Sequence, residues 1–472
     1  MNDAQGRLPR PRRTQRDRPA PRVQLAREVA FTVIRATTAD DAYANLLLPK
    51  EIVRAGLSTA DAALATELTY GTLRRRGTYD AMIEIASGRQ IDEIDPPVLD
   101  ALRLGVHQLL ATRVAPHAAV NESVALASLS AGKQAAGFAN AVLRRVSRQT
   151  AEEWDAALAD AARSDDELLA MRSSHPVWII RGMRRALKAE GRSDELEDLL
   201  EADNASPSVT LVSLPGLAET AEPRTPYSPV GSRAAAGDPE RIVRASGGAI
   251  RVQDEGSQLV ALALSRVGNA AAGERWLDLC AGPGGKTALL AAEARGVGAT
   301  LEANELVPAR AGLVRRALEA LPEEITVHER DGRDFAEAHP DTFDRILVDA
   351  PCTGLGALRR RPEARWRKSA SDIAQLTMLQ AELLTAAIGA LKPGGIVAYV
   401  TCSPHLAETV GVVNEVRDKV ANISLMDARE AIRDVSRSEI DIAEREDGLP
   451  VAQLWPHRHQ TDGMFLALIR KE

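Results

Sequence analysis

The stretch 276–290, WLDLCAGPGGKTALL, limits this chain more than any other. An apolar run breaks into Cys280-Ala281-Gly282-Pro283-Gly284-Gly285-Lys286-Thr287 and then resumes as a helix former. A strand that enters a helix through a glycine turn belongs to parallel α/β sheets, where the turn leaves backbone N–H groups open to a ligand. The surrounding sequence agrees. After Gln253 strand and helix patterns alternate, with candidate strands at 275–279, 300–304, 325–329, 345–348, 396–400, 423–426 and 464–469. Helical segments between the first five predict a parallel sheet, and the last two predict an antiparallel edge. Ligands gather at the carboxyl ends of strands in such sheets. Every chemically suggestive residue in this half falls at such an end.

The turn misses both standard phosphate patterns by one residue. A phosphate loop, G-x-x-x-x-G-K-[ST], needs glycine where Cys280 stands, and a dinucleotide turn, G-x-G-x-x-G, needs one where Thr287 stands. S-Adenosylmethionine remains, because it has no phosphate and asks only that backbone approach a methionine carboxylate and a ribose. A carboxylate about twenty residues on should take the ribose hydroxyls. Glu305, in LEANEL, lies 20 residues past Gly285. Asp331, in ERDGRDF after the third strand, is placed for the adenine end. Either acid alone reads equally well as a cap; beside the glycine turn they favour the cofactor.

Three cysteines, Cys280, Cys352 and Cys402, are too few and too scattered for a disulfide framework or a zinc site. No metal is expected, and a reducing, cytoplasmic setting is. An isolated cysteine is usually a small buried hydrophobe, and Cys280, inside the turn, reads that way. Cys352 follows the fourth strand in ILVDAPCTGLG, and Cys402 follows the fifth in IVAYVTCSPH. Both therefore leave parallel strands on the cofactor edge. Methylating nitrogen or oxygen needs no thiol, since those atoms carry lone pairs. C5 of a pyrimidine is different: it becomes nucleophilic only after a thiolate adds to C6. One cysteine suffices for addition, a second can assist release, and an acid such as Asp349 can stabilise charge at N3.

The rest of the chain is organised around this half. Residues 1–22 hold seven Arg and four Pro and read as a disordered basic tail rather than a signal peptide. No run approaches eighteen uninterrupted apolar residues, so no membrane span is expected. From 23 to 150 the pattern is helical throughout. Leu25, Ala26, Val29, Ala30, Val33 and Ile34 form one buried stripe. Ser58-Thr59-Ala60-Asp61 opens a helix as a capping box, and Pro96-Pro97 opens another with Val98, Leu102, Gly105, Val106 and Leu109 on one side. Residues 151–250 read as a small linking domain, helical to about 203 and then β through VTLVSL, with Pro- and Gly-rich connections. Residues 251–472 complete the chain as the α/β domain.

A net charge of −7 argues mildly against nucleic acid, but phosphate contacts need only local positive charge. Basic clusters lie at 74–76, at 144, 145 and 148, and at 359–361 followed by 365, 367 and 368. Each alone reads as a solvated helix face. The last, close behind Cys352, has the strongest case for a nucleic-acid contact.

At the Pro351-Cys352 and Thr401-Cys402 pairs the chain resembles the Sun/Nop2 family of RNA cytosine-C5 methyltransferases. QDEGSQLVALAL (253–264), RRRPEARW (359–366) and TDGMFLALI (461–469) are similar to further segments of that family. ELTYGTLRRR, ALRLGVHQLL, APHAAVNESV and FANAVLRRV resemble the NusB antitermination fold. A NusB-like bundle ahead of this domain is the layout of the family's bacterial 16S ribosomal RNA enzymes. The resemblance implies a Rossmann-like class I methyltransferase sheet and an S-adenosyl-L-methionine cofactor. It makes Cys402 the nucleophile and gives Cys352 product release, whereas DNA cytosine-C5 methyltransferases use the Pro-Cys cysteine for attack. It carries cofactor contacts to Cys280, Ala281, Gly282, Pro283, Gly284, Gly285, Lys286, Glu305, Asp331 and Asp349. It also implies RNA beside the 359–366 arginines. Because the target base must be splayed out or flipped, free 16S rRNA or an early assembly intermediate is the expected substrate, and a monomer the expected state. Glu305 replaces a more frequent aspartate, and VTLVSL lacks the family's Arg and Asn. Two alternatives stay open: the same chemistry on transfer RNA, or a non-catalytic NusB-like assembly factor.

Overall fold

The computed structural model describes residues 23–40, 42–234 and 237–472; the basic tail expected over 1–22 lies outside them. Helices fill the chain from Leu25 to Asn204. In the helix Leu25–Ala39, Ala26, Val29, Ala30, Val33 and Ile34 are buried, but Leu25 is 55% exposed, so the stripe is narrower than its sequence suggests. Leu25 opens the first turn, at the margin of the packed face. Ser58 caps Thr59–Arg74, its hydroxyl accepting from the Asp61 amide at 3.2 Å and donating to Asp61 Oδ2 at 2.8 Å. Pro96–Ala111 starts on two prolines, where the missing N–H groups would have had no helical partner.

Three short antiparallel strands follow: β1 (Thr210–Ser213), β2 (Gly231–Arg233) and β3 (Ile250–Val252), in the order β2-β1-β3. The sequence indicated only β1. At three residues each, β2 and β3 are too short to show an alternation.

The large sheet comprises β4 (Arg275–Asp278), β5 (Thr300–Asn304), β6 (Val327–His328), β7 (Phe343–Asp349), β8 (Leu391–Thr401), β9 (Ile423–Met426), β10 (Ala452–Gln453) and β11 (Phe465–Lys471). Its order is β10-β11-β8-β7-β4-β5-β6, with β9 also paired to β11. β4 to β8 are parallel, and β11 runs antiparallel to β8, β9 and β10. The sheet therefore has eight strands rather than seven: β10 spans two residues and left no sequence signal. β6 also shrinks to two residues within the expected 325–329.

Both faces of this sheet are covered, as parallel sheets require. Leu347, Ala398 and Val400 join the apolar cluster on one face; Ile346, Val348, Val397 and Tyr399 join the other. That alternation is the period-two geometry of strands read out in packing. The helix Ala370–Ala390 packs on β7 and β8 and against the helix Gly332–Glu337. By length and composition it is apolar enough to cross a membrane, with mean hydropathy 1.3.

From β4 the chain passes to β5 on one side, and later to β7 on the other. The crevice at this reversal is where ligands bind such sheets. The carboxyl ends of β8, β7, β4 and β5 stand side by side there, although they lie far apart in sequence.

The arginine-rich segment departs from expectation. Arg359 reaches Asp462 Oδ1 at 2.8 Å and Asp254 Oδ2 at 3.0 Å, and Arg360 contacts the same two acids. Arg365 is fully buried and donates to oxygens of Arg74, Ser174, Asp203 and Asn204. These three arginines brace one part of the chain against another rather than meet RNA. Arg361 alone of the four points outward. Arg74, expected on a solvated face, is buried as well.

Candidate active site

The glycine turn follows β4. Gly282 (φ +57°) and Gly284 (φ +88°) both take the left-handed conformation that side chains resist. At Gly284 a Cβ would lie 2.8 Å from Ala317 and 2.9 Å from the Val314 backbone, so the turn can press against the helix Pro308–Leu318 only with glycine there. At Gly282 nothing lies within 4 Å of that position, leaving room for another molecule against the backbone. Ala281 is buried beneath the turn, Pro283 is exposed, and Gly285 begins the helix Gly285–Val297.

Acids converge on this turn. Glu305, just past β5, accepts from the Gly282 amide at 2.9 Å through Oε2 and from the Val307 amide at 2.9 Å through Oε1. A carboxylate has about four acceptor positions, so Glu305 retains capacity for a diol. Leu306 (60% exposed) and Val307 (40%) present apolar surface beside it. Lys286 donates to Asp349 Oδ2 at 2.8 Å across the sheet. Burial works against the lysine charge, but Asp349 outweighs it and raises the Lys286 pKa. Asp278, fully buried at the end of β4, accepts from Thr287 Oγ1 at 2.7 Å through Oδ2, while Oδ1 has no partner. Burial pushes its carboxyl up to about 7. The Cys280 thiol is driven well above its ordinary value by burial, then by Asp278, Asp349, Glu305 and Asp331.

Four carboxylates around one turn, with the only lysine of the turn already paired, disfavour a phosphate ligand. S-Adenosylmethionine carries a sulfonium and an ammonium against one carboxylate. Its net positive charge, ribose diol and apolar adenine match the acids, Glu305 and the Leu306–Val307 surface. The residues fit that cofactor. Asp331 fits least directly: it caps the helix Gly332–Glu337, and its two oxygens are held by the Arg333 guanidinium at 3.0 and 2.7 Å.

The two remaining cysteines meet. Cys352 Sγ and Cys402 Sγ are 3.4 Å apart, both half-buried, one beyond β7 and the other beyond β8. Their thiols are unequal. The hydrogen bond from Cys352 lowers the Cys402 pKa against the effects of burial and of the Asp349 charge, with smaller help from Lys286 and Arg361. The same bond, followed by burial and the fields of Cys402 and Glu408, raises Cys352 well above the ordinary thiol value. The pair thus favours a thiolate on Cys402 and a proton on Cys352.

Glu408 holds this arrangement from behind, and no sequence motif singles it out. It is fully buried. Oε1 accepts from the Thr353 amide at 2.7 Å and Gln380 Nε2 at 3.3 Å; Oε2 accepts from Thr353 Oγ1 at 2.5 Å and Ser403 Oγ at 2.7 Å. One carboxylate therefore clamps the residues immediately after both cysteines. A glutamate at the start of a helical run reads as solvated, so only the fold reveals it. Asp278 was missed for a similar reason, since burial and lack of a partner leave no trace in sequence. Among the described residues no cluster of His, Cys, Asp and Glu could hold a metal ion.

A Rossmann-like sheet with an acid-lined glycine turn and two thiols at its switch point defines a cofactor-dependent methyltransferase class, and known proteins narrow it. The model of the family described as 16S rRNA methyltransferase RsmB/F matches residues 266–470, and that of the NusB family matches 24–148. A Mycobacterium tuberculosis (strain H37Rv) protein named "Putative methyltransferase" is 46% identical over 94% of this chain and 96% of its own length. The Bacillus subtilis protein named "Probable ribosomal RNA small subunit methyltransferase B" is 30% identical over 94% of this chain and 98% of its own. Among solved structures, PH0851 superposes with a TM-score of 0.77 at 21% identity, covering 95% of this chain and 98% of that one. The chain belongs to the RsmB/F family of S-adenosylmethionine-dependent RNA methyltransferases.

Proposed function

We propose that this protein methylates C5 of a cytosine in 16S ribosomal RNA through a covalent bond between Cys402 and C6 of the base. The observation that carries the reading is the thiol pair, 3.4 Å apart with opposite pKa displacements. Methylation of nitrogen or oxygen would give such a pair no task. The relatives named for small-subunit ribosomal RNA and the NusB-type region support the choice of 16S rRNA. Free rRNA or an early assembly intermediate is the substrate form, because the base must be splayed out to reach the thiols.

Residues 280–286, Glu305, Asp331 and Asp349 would hold the cofactor, with Asp278 a further acid beneath the turn. The bound cofactor supplies an electrophilic methyl group. Cys402 attacks C6 as thiolate, and the electron pair displaced from the C5–C6 bond makes C5 a nucleophile. A proton taken up at N3 from solvent as the thiolate adds is held by the Asp349 carboxylate and is lost again when the ring is restored. Once Cys402 is alkylated, its hydrogen bond with Cys352 is gone, and with it the largest cause of the raised Cys352 pKa. Cys352 can then lose its own proton to solvent and, as thiolate, take the C5 proton. The C–H electron pair re-forms the C5–C6 double bond and expels the Cys402 thiolate.

The test is methyl transfer from isotopically labelled S-adenosylmethionine to unmodified 16S rRNA or transfer RNA, with nucleoside mass spectrometry of the product. Labelled 5-methylcytidine in 16S rRNA is the expected result. The same nucleoside in transfer RNA alone would overturn the substrate. A methyl group on nitrogen or on ribose would overturn the chemistry, and no transfer to either RNA would favour an assembly factor.

A further inference from the structure

The chain contains five Phe, five Trp and five Tyr, and of these fifteen rings only Tyr43 is exposed, at 45%. An aromatic left in water contributes little to folding, so its position needs another reason. Tyr43 comes from the helical region, immediately before the helix Ala44–Arg54, yet it is held against the arginine-rich segment that follows Cys352. On one side Arg367 donates to the Ala42 carbonyl and lies 4.7 Å from the ring centroid. On the other the Ala44 amide donates to Glu363 Oε1 at 3.3 Å. Arg361, exposed, lies 5.9 Å from the same ring.

The path from this ring to the thiols is short. The Arg361 amide donates to the Ala357 carbonyl at 3.0 Å, and one residue earlier the Gly356 amide donates to the Cys402 carbonyl at 2.8 Å. Arg361 is also one of the charges that lower the Cys402 pKa. An exposed ring flanked by an outward guanidinium is the usual platform for an unpaired base, since every base has a π-face and stacks without sequence preference. Single-stranded RNA is recognised largely in this way.

We propose that Tyr43 and Arg361 form a stacking subsite for an unpaired nucleotide next to the target cytidine, so that the helical region helps to splay the strand into the site. The proposal rests on the reading of an RNA substrate. Tyr43 acts here as a positioning residue: it touches a neighbouring base, not the reacting one.

The test compares full-length wild type, Tyr43→Phe, Tyr43→Leu and Arg361→Gln with an unmodified 16S rRNA transcript. It measures Kd over a range of salt, KM and kcat for methylation, S-adenosylmethionine affinity and thermal midpoint. Phe keeps the π-face and should match wild type. Leu keeps apolar bulk without it, and should raise Kd and KM for RNA on the order of tenfold. Cofactor affinity, midpoint and salt slope should not move in that variant. Arg361→Gln should make the salt dependence shallower by about one phosphate contact. The proposal is overturned if Leu binds RNA like wild type, or if its loss tracks a lowered midpoint, which would make the ring a docking contact between the two regions. Wild type that binds the transcript without methylating it would fail the catalytic reading, while the Phe–Leu comparison would still decide the subsite. Wild type that binds no RNA would overturn both.

Discussion

Replacing Arg365 with Met tests whether the basic segment after Cys352 is structural. Its guanidinium donates to the Arg74 carbonyl at 3.0 Å, the Ser174 carbonyl at 3.2 Å, Asn204 Oδ1 at 2.7 Å and the Asp203 carbonyl at 2.8 Å. These oxygens belong to the carboxyl ends of three helices, Thr59–Arg74, Asp165–Ser173 and Leu196–Asn204. Helix dipoles favour a cation at such ends. Burial lowers the Arg365 pKa to about 10, which leaves it charged at neutral pH. Met fills similar volume but leaves four buried oxygens short of a donor. Hydrogen bonds to a charged group contribute roughly 1.5–3 kcal/mol each, and such losses do not add within one site. Leaving a buried acceptor unsatisfied costs about 1–3 kcal/mol, so a total loss on the order of 3 kcal/mol is expected. Lys should recover only part of it, because one ammonium cannot span oxygens from three helices as a planar fork does. The assay is urea unfolding followed by far-UV circular dichroism, with limited proteolysis of the 205–250 segment as a report on docking. An unchanged urea midpoint with weakened RNA binding would refute this account and restore Arg365 to the nucleic-acid surface.

Three further outcomes follow from the site. With iodoacetamide at neutral pH, Cys402 should alkylate before Cys352 and Cys280, because its lowered pKa leaves more thiolate; peptide mass mapping reads the order, and Cys352→Ala should move the Cys402 profile to higher pH. Glu305→Gln should weaken S-adenosylmethionine binding, on the order of tenfold by calorimetry, more than it slows the bound reaction; unchanged affinity would remove the ribose contact. Glu408→Gln should leave cofactor affinity intact, lower methyl transfer on the order of tenfold, and shift Cys352 alkylation to lower pH by removing one of the charges that raise its pKa. A Cys352 profile identical to wild type would reduce Glu408 to a packing residue.

The sequence carried the site further than it carried its supports. Glycine turns, strand ends and cysteines are local signals, so spacing singled out the turn at 280–286, Glu305, Asp349, Cys352 and Cys402, while their roles came from the family resemblance and remain a proposal. That Cys352 and Cys402 share one edge was legible as well, but their contact depends on the pairing of β7 with β8, which the fold supplies. Burial is not local. Arg359, Arg360 and Arg365 count as positive charge in any composition, and only packing shows that helix ends and the Asp254–Asp462 pair absorb them. Glu408 and Asp278 escaped for the same reason, as did the short strands β2, β3 and β10, whose two or three residues cannot display a period. Asp331 lies after the third strand as expected, but the Arg333 side chain that occupies its carboxylate could not be foreseen.

The most direct test of the central claim is to trap the covalent intermediate. Cys352→Ala protein, S-adenosylmethionine and unmodified 16S rRNA would be mixed and run on a denaturing gel. The account predicts a slow-migrating protein–RNA adduct that disappears when Cys402 is also replaced. An adduct that survives loss of Cys402, or its absence while wild type forms 5-methylcytidine in the same RNA, would contradict the roles given to the two thiols.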